Sequence, residues 1–412
     1  MARICIVTGA HLCRNPRVVK EASALADAGH SVTVLGPRLS APLATEDALL
    51  SAGALWEHRY VVDITAGGSR FLHRASRRLG EEAAQRLGLN LPDGLGYGMR
   101  AMLSAARREN ADLTIGHQEV GLWVVFKLLQ DGRCVGADFE DWYSRDLTPE
   151  AQKRRPIQLL RQCERLLAQR GAHTTTTSHA LAEGLASAYD APLPRVVYNA
   201  FPWADRETLD GRFLDRTVES MPSLHWVSQT LGVDRGLDVL FDALHHVSTP
   251  VQVHLRGRPA PEAEEALRAL FPAHLGHQLA LHPLVPPHEL LSRISEHDIG
   301  IAFESTTPDS RDLTVTNKIL HYLLGGLSVV ASDTSGQREI ANVAPDAVFL
   351  CGSRDPDTLA THLNDLLDSP ARLAAAKAAA LNVAHRRFSW ERQAPVLQAS
   401  VDRSLCDPAA LA

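Results

Sequence analysis

Residues 3–35 read RICIVTGAHLCRNPRVVKEASALADAGHSVTVL, and this stretch decides the fold. Ile4-Cys5-Ile6-Val7 is a short apolar run closed by a turn at Gly9, the pattern of a strand buried on both faces. Pro16 suits the first position of a helix, where its missing N–H costs nothing. A helical pattern over 16–28 stops at Gly29-His30, and 31–35 opens a second strand. Strand, glycine turn, helix and strand make a βαβ unit.

The alternation continues outward from that unit. Further strands are expected at 56–62, 112–116, 133–138, 173–177 and 195–198, with helices at 81–108, 150–169 and 180–189. Residues 201–223 are polar, carry Pro202 and Pro222, and have no period, so they read as an interdomain linker. The rhythm then restarts with strands at 224–227, 251–256, 279–282, 298–303, 328–332 and 347–350. Helical patterns at 237–246, 261–270, 287–295, 316–324 and 355–367 separate them. Two such series imply an α/β fold of two Rossmann-like, doubly wound domains facing a cleft, with ligands at the carboxyl ends of the strands. The expected division is residues 1–200, residues 201–385, and a terminal helix over 386–412 that packs back on the first domain.

Composition agrees with that reading. A chain of 412 residues is too long for one ordinary core and suits two domains of roughly 150–200 residues. Apolar residues make up 45% and charged residues 22%, so disorder and fibrous repeats are excluded. A net charge of −6 gives no whole-molecule attraction for nucleic acid. The six cysteines form no C-x-x-C pair, which fits reduced thiols better than a disulfide framework or structural zinc. With no signal-peptide pattern and no run of eighteen apolar residues, a cytoplasmic location is expected.

The chemistry should lie in the strand-end loops. After the first strand, Gly9 permits a tight turn, and Arg14 and Arg17 add positive charge at a helix N-terminus that already favours anions. His117 follows the 112–116 strand. Asp138-Phe139-Glu140-Asp141 packs three acids into four positions, where carboxylates raise one another's pKa and serve as acid or base; Glu140 and Asp141 are the candidates. In the second half, Ser228 to Gly236 reads as a strand-to-helix loop in which Arg235 can grip a phosphate. Arg256 and Arg258 form another cationic strand end. Glu304 follows a strand, and Lys318 sits in the first turn of the next helix, where it opposes the macrodipole unless an anion is near. Thr316 suits that helix's cap. Residues 331–339 read as a ligand-side loop with Glu339 as a polar candidate. The basic patches Arg70–Arg78 and Lys153–Arg155 read as solvated faces, with weak contact to an acidic membrane surface or lipid phosphate as the alternative.

These residues resemble the GT-B glycosyltransferases, in particular the retaining glycosyltransferase family 4. The likeness rests on R-x-x-x-E-A-x-x-L-A-x-x-G-H-x-V-x-V-L from Arg17 to Leu35, on Val197-Tyr198-Asn199-Ala200, on Ser228 to Gly236, and on Gly326 to Ser332. It implies transfer of a sugar from a nucleotide-diphosphate sugar to an acceptor hydroxyl, retaining and without a metal or other cofactor. The donor belongs to the second domain and a glycan, lipid-linked or small-molecule acceptor to the first. Arg235 and Lys318 would hold the diphosphate, with Gln229 where the family has an arginine and Asn317 and Glu339 nearby. The family's two glutamates fall on Leu313, flanked by Asp312, and on His321; Glu304 or Asp312 would then serve near the sugar. Glu140 lies about where the family has a histidine. A nucleotide-sugar-binding partner without catalysis, and a nucleotide-sugar epimerase on the same scaffold, are the alternatives.

Overall fold

In the computed structural model, which describes residues 1–216, 221–232 and 236–406, the opening run forms β1 (Arg3–Val7) with four buried residues. Helix α1 (Pro16–Asp27) starts at Asn15, whose side chain accepts from the Val18 amide. It ends where Gly29 adopts a φ of +88° and the His30 amide reaches back to the Leu25 carbonyl, a left-handed stop that glycine takes without strain. The chain divides into two compact units, Met1–Val197 with Ala394–Ala412, and Tyr198–Gln393.

The first unit continues through β2 (Ser31–Arg38), α2 (Ala41–Ser51), β3 (Glu57–Asp63), α3 (Ser69–Leu87), α4 (Met99–Glu109), β4 (Leu113–His117) and α5 (Gln118–Gln130). It closes with β5 (Val135–Phe139), α6 (Pro149–Gln152), α7 (Ile157–Arg170), β6 (His173–Thr176), α8 (His179–Tyr189) and β7 (Arg195–Val196). Its seven strands are ordered β3-β2-β1-β4-β5-β6-β7, all parallel. The helix expected over 81–108 is two helices: α3 starts earlier and is stopped at Gly88 by a φ of +65°. The helix expected over 150–169 breaks at Pro156, which precedes α7.

The second unit runs β8 (Ser223–Leu231), α9 (Leu237–Leu244), β9 (Gln252–Pro259), α10 (Ala263–Leu270), β10 (Gln278–His282) and α11 (Pro287–Ser295). Then come β11 (Ile299–Ala302), α12 (Asp309–Leu313), α13 (Asn317–Gly325), β12 (Ser328–Ser332), α14 (Ser335–Val343), β13 (Val348–Cys351), α15 (Pro356–Leu367), α16 (Pro370–Arg386) and α17 (Trp390–Cys406). Its sheet is β10-β9-β8-β11-β12-β13, again parallel. From Ala394 onward α17 belongs to the first unit. There Gln398 donates to the Ala24 carbonyl at 2.8 Å and Ser400 meets the His173 ring at 3.1 Å.

The second unit's core holds a histidine stack. His254 lies 2.9 Å from His282 through ring nitrogens, and its ring centroid is 4.4 Å from that of His297, which stacks on His225 at 4.6 Å. Asp215 faces the group, 3.3 Å from His282 and paired with buried Arg256. Burial, then repulsion from neighbouring His297, drives the His225 pKa well below the ordinary value and that of His254 down to about 3.

Candidate functional site

In each sheet the strand order reverses once, between β1 and β4 in the first unit and between β8 and β11 in the second. Such a reversal opens a crevice at the carboxyl ends of the flanking strands, and Gly9, His117 and Glu304 among the predicted residues lie at the ends of these strands.

In the second unit, β11 is wholly buried and delivers Phe303 and Glu304 to the crevice. The Glu304 amide donates to Ser332 Oγ at 2.8 Å, so the end of β12 fixes this turn. Buried Gln337 from α14 donates to the Ser332 hydroxyl and carbonyl, each at 2.9 Å. The Glu304 carboxylate accepts a tight ion-pair hydrogen bond from Lys318 and a second bond from Thr316 Oγ1 at 3.3 Å. Thr316 also caps α13, accepting from the Lys318 amide. Lys318 Nζ lies 5.7 Å from the centroid of the Trp226 ring of β8. Its misplaced positive charge at a helix N-terminus therefore has its anion, Glu304. Both side chains stay partly accessible, 15% for Lys318 and 23% for Glu304.

The neighbouring loop is helical rather than open. Residues 335–343 form α14, capped by Thr334. The Asp312 carboxylate accepts from Ser335 Oγ at 2.7 Å and from the Ser335 amide at 3.3 Å, neutralising a helix N-terminus. Asp312, expected near the sugar, thus has its carboxylate engaged at the start of α14. A Cβ on Gly336 would come within 2.4 Å of the Thr314 carbonyl oxygen, so only glycine fits where α14 meets the Asp312 segment. Glu339 is hydrogen-bonded by the Tyr198 hydroxyl, whose pKa is raised by burial and then by that carboxylate. His321 lies ring to ring on Phe201, centroids 3.4 Å apart and planes 11° from parallel. Asn317 is exposed in the first turn of α13.

The expected loop after 227 is also corrected. Strand β8 runs on to Leu231 with a register irregularity between Val227 and Thr230, so Gln229 is an exposed strand residue. Arg235 lies outside the described residues. Gly236, next in sequence, has a φ of +79° and packs so that a Cβ would stand 2.8 Å from the Phe303 ring, which brings the start of α9 to the same crevice. Arg256 is no cationic strand end: it is buried, donating to Asp215 and to the Pro283 carbonyl.

In the first unit, Gly9 is required by packing, because a Cβ would come within 2.8 Å of Val120 Cγ2 on α5. Thr8 Oγ1 donates to Gln118 Oε1 at 3.3 Å across the reversal point. Arg14 is exposed. Arg17 is not a ligand-facing cation; it is buried, donating to Asp138 at 2.8 Å and to the Val197 carbonyl at 2.7 Å. Thr175 adds a bond to Asp138 at 3.0 Å. His117 is likewise inaccessible, 0% exposed and hydrogen-bonded to Glu21, so this strand-end candidate is enclosed rather than open to a ligand. Burial opposes its positive charge, but Glu21 outweighs this and raises the pKa. The Asp138 carboxyl is held low by Arg17 and then His117, against burial. Arg17 and Glu21 are four residues apart on α1, and a polar pair on the face that buries Val18, Ala22 and Leu25 is the signal that would have found them.

Half-buried Glu140 and Asp141 lie just past β5. Burial raises both, and burial followed by the Glu140 charge pushes Asp141 up to about 8. Two neighbouring carboxyls that raise one another in this way hold a proton more readily than free carboxylates do. Among the described residues, Glu21, His117 and Asp138 form the one group with metal-ligand spacing, ligand atoms all within 4.8 Å. Arg17 already neutralises Asp138 and the histidine already engages Glu21, so the group is a closed set of ion pairs rather than a vacant ligand cage.

Residues 222–369 match the family described as glycosyl transferases group 1. No curated protein matches the sequence. Among solved structures, the chain is similar to a sucrose-phosphate synthase from Thermosynechococcus elongatus, with 15% identity, a TM-score of 0.69, and 98% of this chain covering 99% of that one. It is similar to Anabaena HepE in complex with UDP-glucose, with 17% identity, a TM-score of 0.66 and coverage of 98% and 99%. It also matches a putative UDP-N-acetylglucosamine 2-epimerase from Listeria monocytogenes at 13% identity, a TM-score of 0.59 and coverage of 98% and 97%. The fold is the two-domain α/β GT-B fold, and with the matched domain it equips the chain for enzymatic glycosyl transfer.

Proposed function

We propose that this chain is a retaining, metal-independent glycosyltransferase of the family 4 type that uses a nucleotide-diphosphate sugar. The observation that carries the reading is the Lys318–Glu304 pair, partly accessible, at the strand reversal of the matched domain. In the reaction the bond between the anomeric carbon and the diphosphate oxygen breaks and one to the acceptor oxygen forms. The acceptor's proton leaves with the departing diphosphate. Negative charge grows on that leaving group, and a fixed ammonium beside the N-terminus of α13 stabilises it without reorganisation. Glu304 holds the ammonium in place while the site is empty and lies next to the sugar end of a donor whose phosphates meet Lys318. In the first unit, Asp141 and Glu140 offer polar contacts to an acceptor hydroxyl. UDP-sugars head the donor panel, since UDP-glucose is named for the Anabaena neighbour.

The test is thermal stabilisation and turnover across UDP-, GDP-, ADP- and TDP-sugars, with product analysis with and without acceptor alcohols. A ligand that binds only the folded chain raises its melting temperature, and a transferase gives product only with acceptor or water. An epimer formed without acceptor would support the second reading favoured by the Listeria neighbour. Binding without any product would make the chain a non-catalytic partner. No stabilisation by any nucleotide sugar would overturn the proposal.

A further inference from the structure

Helix α3 carries a face that the fold does not use. Its inner side is fixed: a Cβ on Gly80 would come within 2.5 Å of the Gly94 amide nitrogen, and Ser76 Oγ donates to Asp93 at 2.5 Å. On the outer side Phe71, Leu72 and Leu79 stand 64%, 73% and 67% exposed. At about 100° per residue these three and exposed Ala75 fall in one strip about 100° wide, the width of a buried amphipathic face. Here that strip faces outward.

The charges beside the strip select its partner. Exposed Arg74 and Arg78 border it, and the Arg70 guanidinium lies 4.6 Å from the Phe71 ring centroid. The helix's two acids are already paired, Glu81 with Arg77 and Glu82 with Arg86. Five arginines against two glutamates leave α3 at +3 (5 − 2) in a chain of net charge −6. Apolar side chains on a convex helix surface, flanked by arginines without a carboxylate partner among the described residues, match a bilayer interface: the apolar groups enter the headgroup–acyl boundary and the guanidiniums meet lipid phosphates. Among the described residues no helix is long and apolar enough to cross a membrane, so this surface lies on a bilayer and does not span it.

We propose that α3 docks the chain on anionic lipid bilayers through Phe71, Leu72 and Leu79, with Arg74 and Arg78 on the headgroups. This surface is independent of the donor chemistry above. The experiment is cosedimentation of the full chain with vesicles of phosphatidylcholine alone and of phosphatidylcholine with about a third phosphatidylglycerol, at low and high salt. The chain should bind the anionic vesicles, lose most binding at 0.5 M salt, and bind neutral vesicles weakly. Each arginine near an anionic surface contributes roughly fivefold in affinity, so Arg74→Gln with Arg78→Gln should weaken binding roughly thirtyfold. Phe71→Ser with Leu79→Ser should weaken it roughly tenfold or more, and both variants should keep the wild-type circular dichroism, with the arginine pair losing at most the small stability of the long bond from Arg74 to the Ile64 carbonyl. Failure to bind anionic vesicles at low salt, or equal binding by wild type and both variants, would overturn the proposal; an acidic protein partner would then be the occupant to seek.

Discussion

Replacing Lys318 by methionine isolates the ammonium. The methionine stem retains packing over Trp226, so the change removes charge and hydrogen bonds while largely keeping shape. A charge-assisted hydrogen bond contributes about 1.5–3 kcal/mol. In the empty site, however, the ammonium already has a carboxylate, and a partly exposed pair of this kind is worth about 1 kcal/mol at most. Diphosphate binding must draw Lys318 from Glu304, so the net loss in K318M should be about 0.5–2 kcal/mol, roughly two- to thirtyfold in Kd. Two comparisons make this specific. Uridine, which has no phosphate, should bind K318M and wild type equally, while UDP binding falls. Glu304→Gln removes the internal competitor, so it should tighten UDP binding by up to about fivefold, and K318M in that background should cost more than it does alone. Calorimetric titration of the four proteins with uridine, UMP and UDP closes the cycle. An unchanged UDP affinity in K318M, or an equal loss for uridine and UDP, would refute the reasoning.

Acid should destabilise the second unit through its histidines. His225, His254 and His282 are lowered by burial, which disfavours their charged forms. The unfolded chain therefore takes up protons below the ordinary value of 6.5 while the folded chain does not, so stability is full above pH 6.5 and declines toward pH 3 for His254. Asp215, held low by His297 and Arg256 against burial, loses its contribution only below the usual carboxylate range. His225 and His254 together give about 2 kcal/mol of lost stability between pH 6 and pH 5, and His282 adds in the same direction; urea midpoints should shift accordingly, and His254→Gln should remove up to about half of the slope. A midpoint independent of pH over that interval would contradict this account. In the first unit, Arg17→Met strands the Asp138 carboxylate, and breaking one side of a buried pair costs about 3–5 kcal/mol; pairing it with Asp138→Leu should recover much of the loss in urea unfolding.

Most of the strand framework was legible because each strand is a short apolar run between turn residues. Helices α2, α5, α12 and α14 escaped. Helix α5 buries Val120 through Phe126, and a segment apolar on all sides has no amphipathic period to read. Helix α14 opens with Ser335-Gly336, which reads as loop composition; the glycine answers to the Thr314 carbonyl pressed against it, a tertiary contact that local propensity does not contain. The site was legible in part. Lys318 stood out by its sign at a helix N-terminus, while its partner Glu304 is fourteen residues away. Arg17 and Arg256 looked like exposed strand-end cations because their carboxylates, Asp138 and Asp215, lie 121 and 41 residues distant.

That misreading separates the two strand reversals physically. Both gather cations at the carboxyl ends of parallel strands, but they close them differently. Arg17 and His117 are enclosed in pairs whose members are all within 2% of full burial. A ligand would have to open such a pair at a cost of about 3–5 kcal/mol, more than a charge-assisted contact to a phosphate returns. The Lys318–Glu304 pair keeps 15% and 23% exposure, and opening it costs about 1 kcal/mol. A diphosphate can therefore compete for Lys318 and not for Arg17. The buried pairs set the shape of the first unit, and in the proposed reaction the half-open pair of the second is where an incoming anion would exchange one carboxylate for its phosphates.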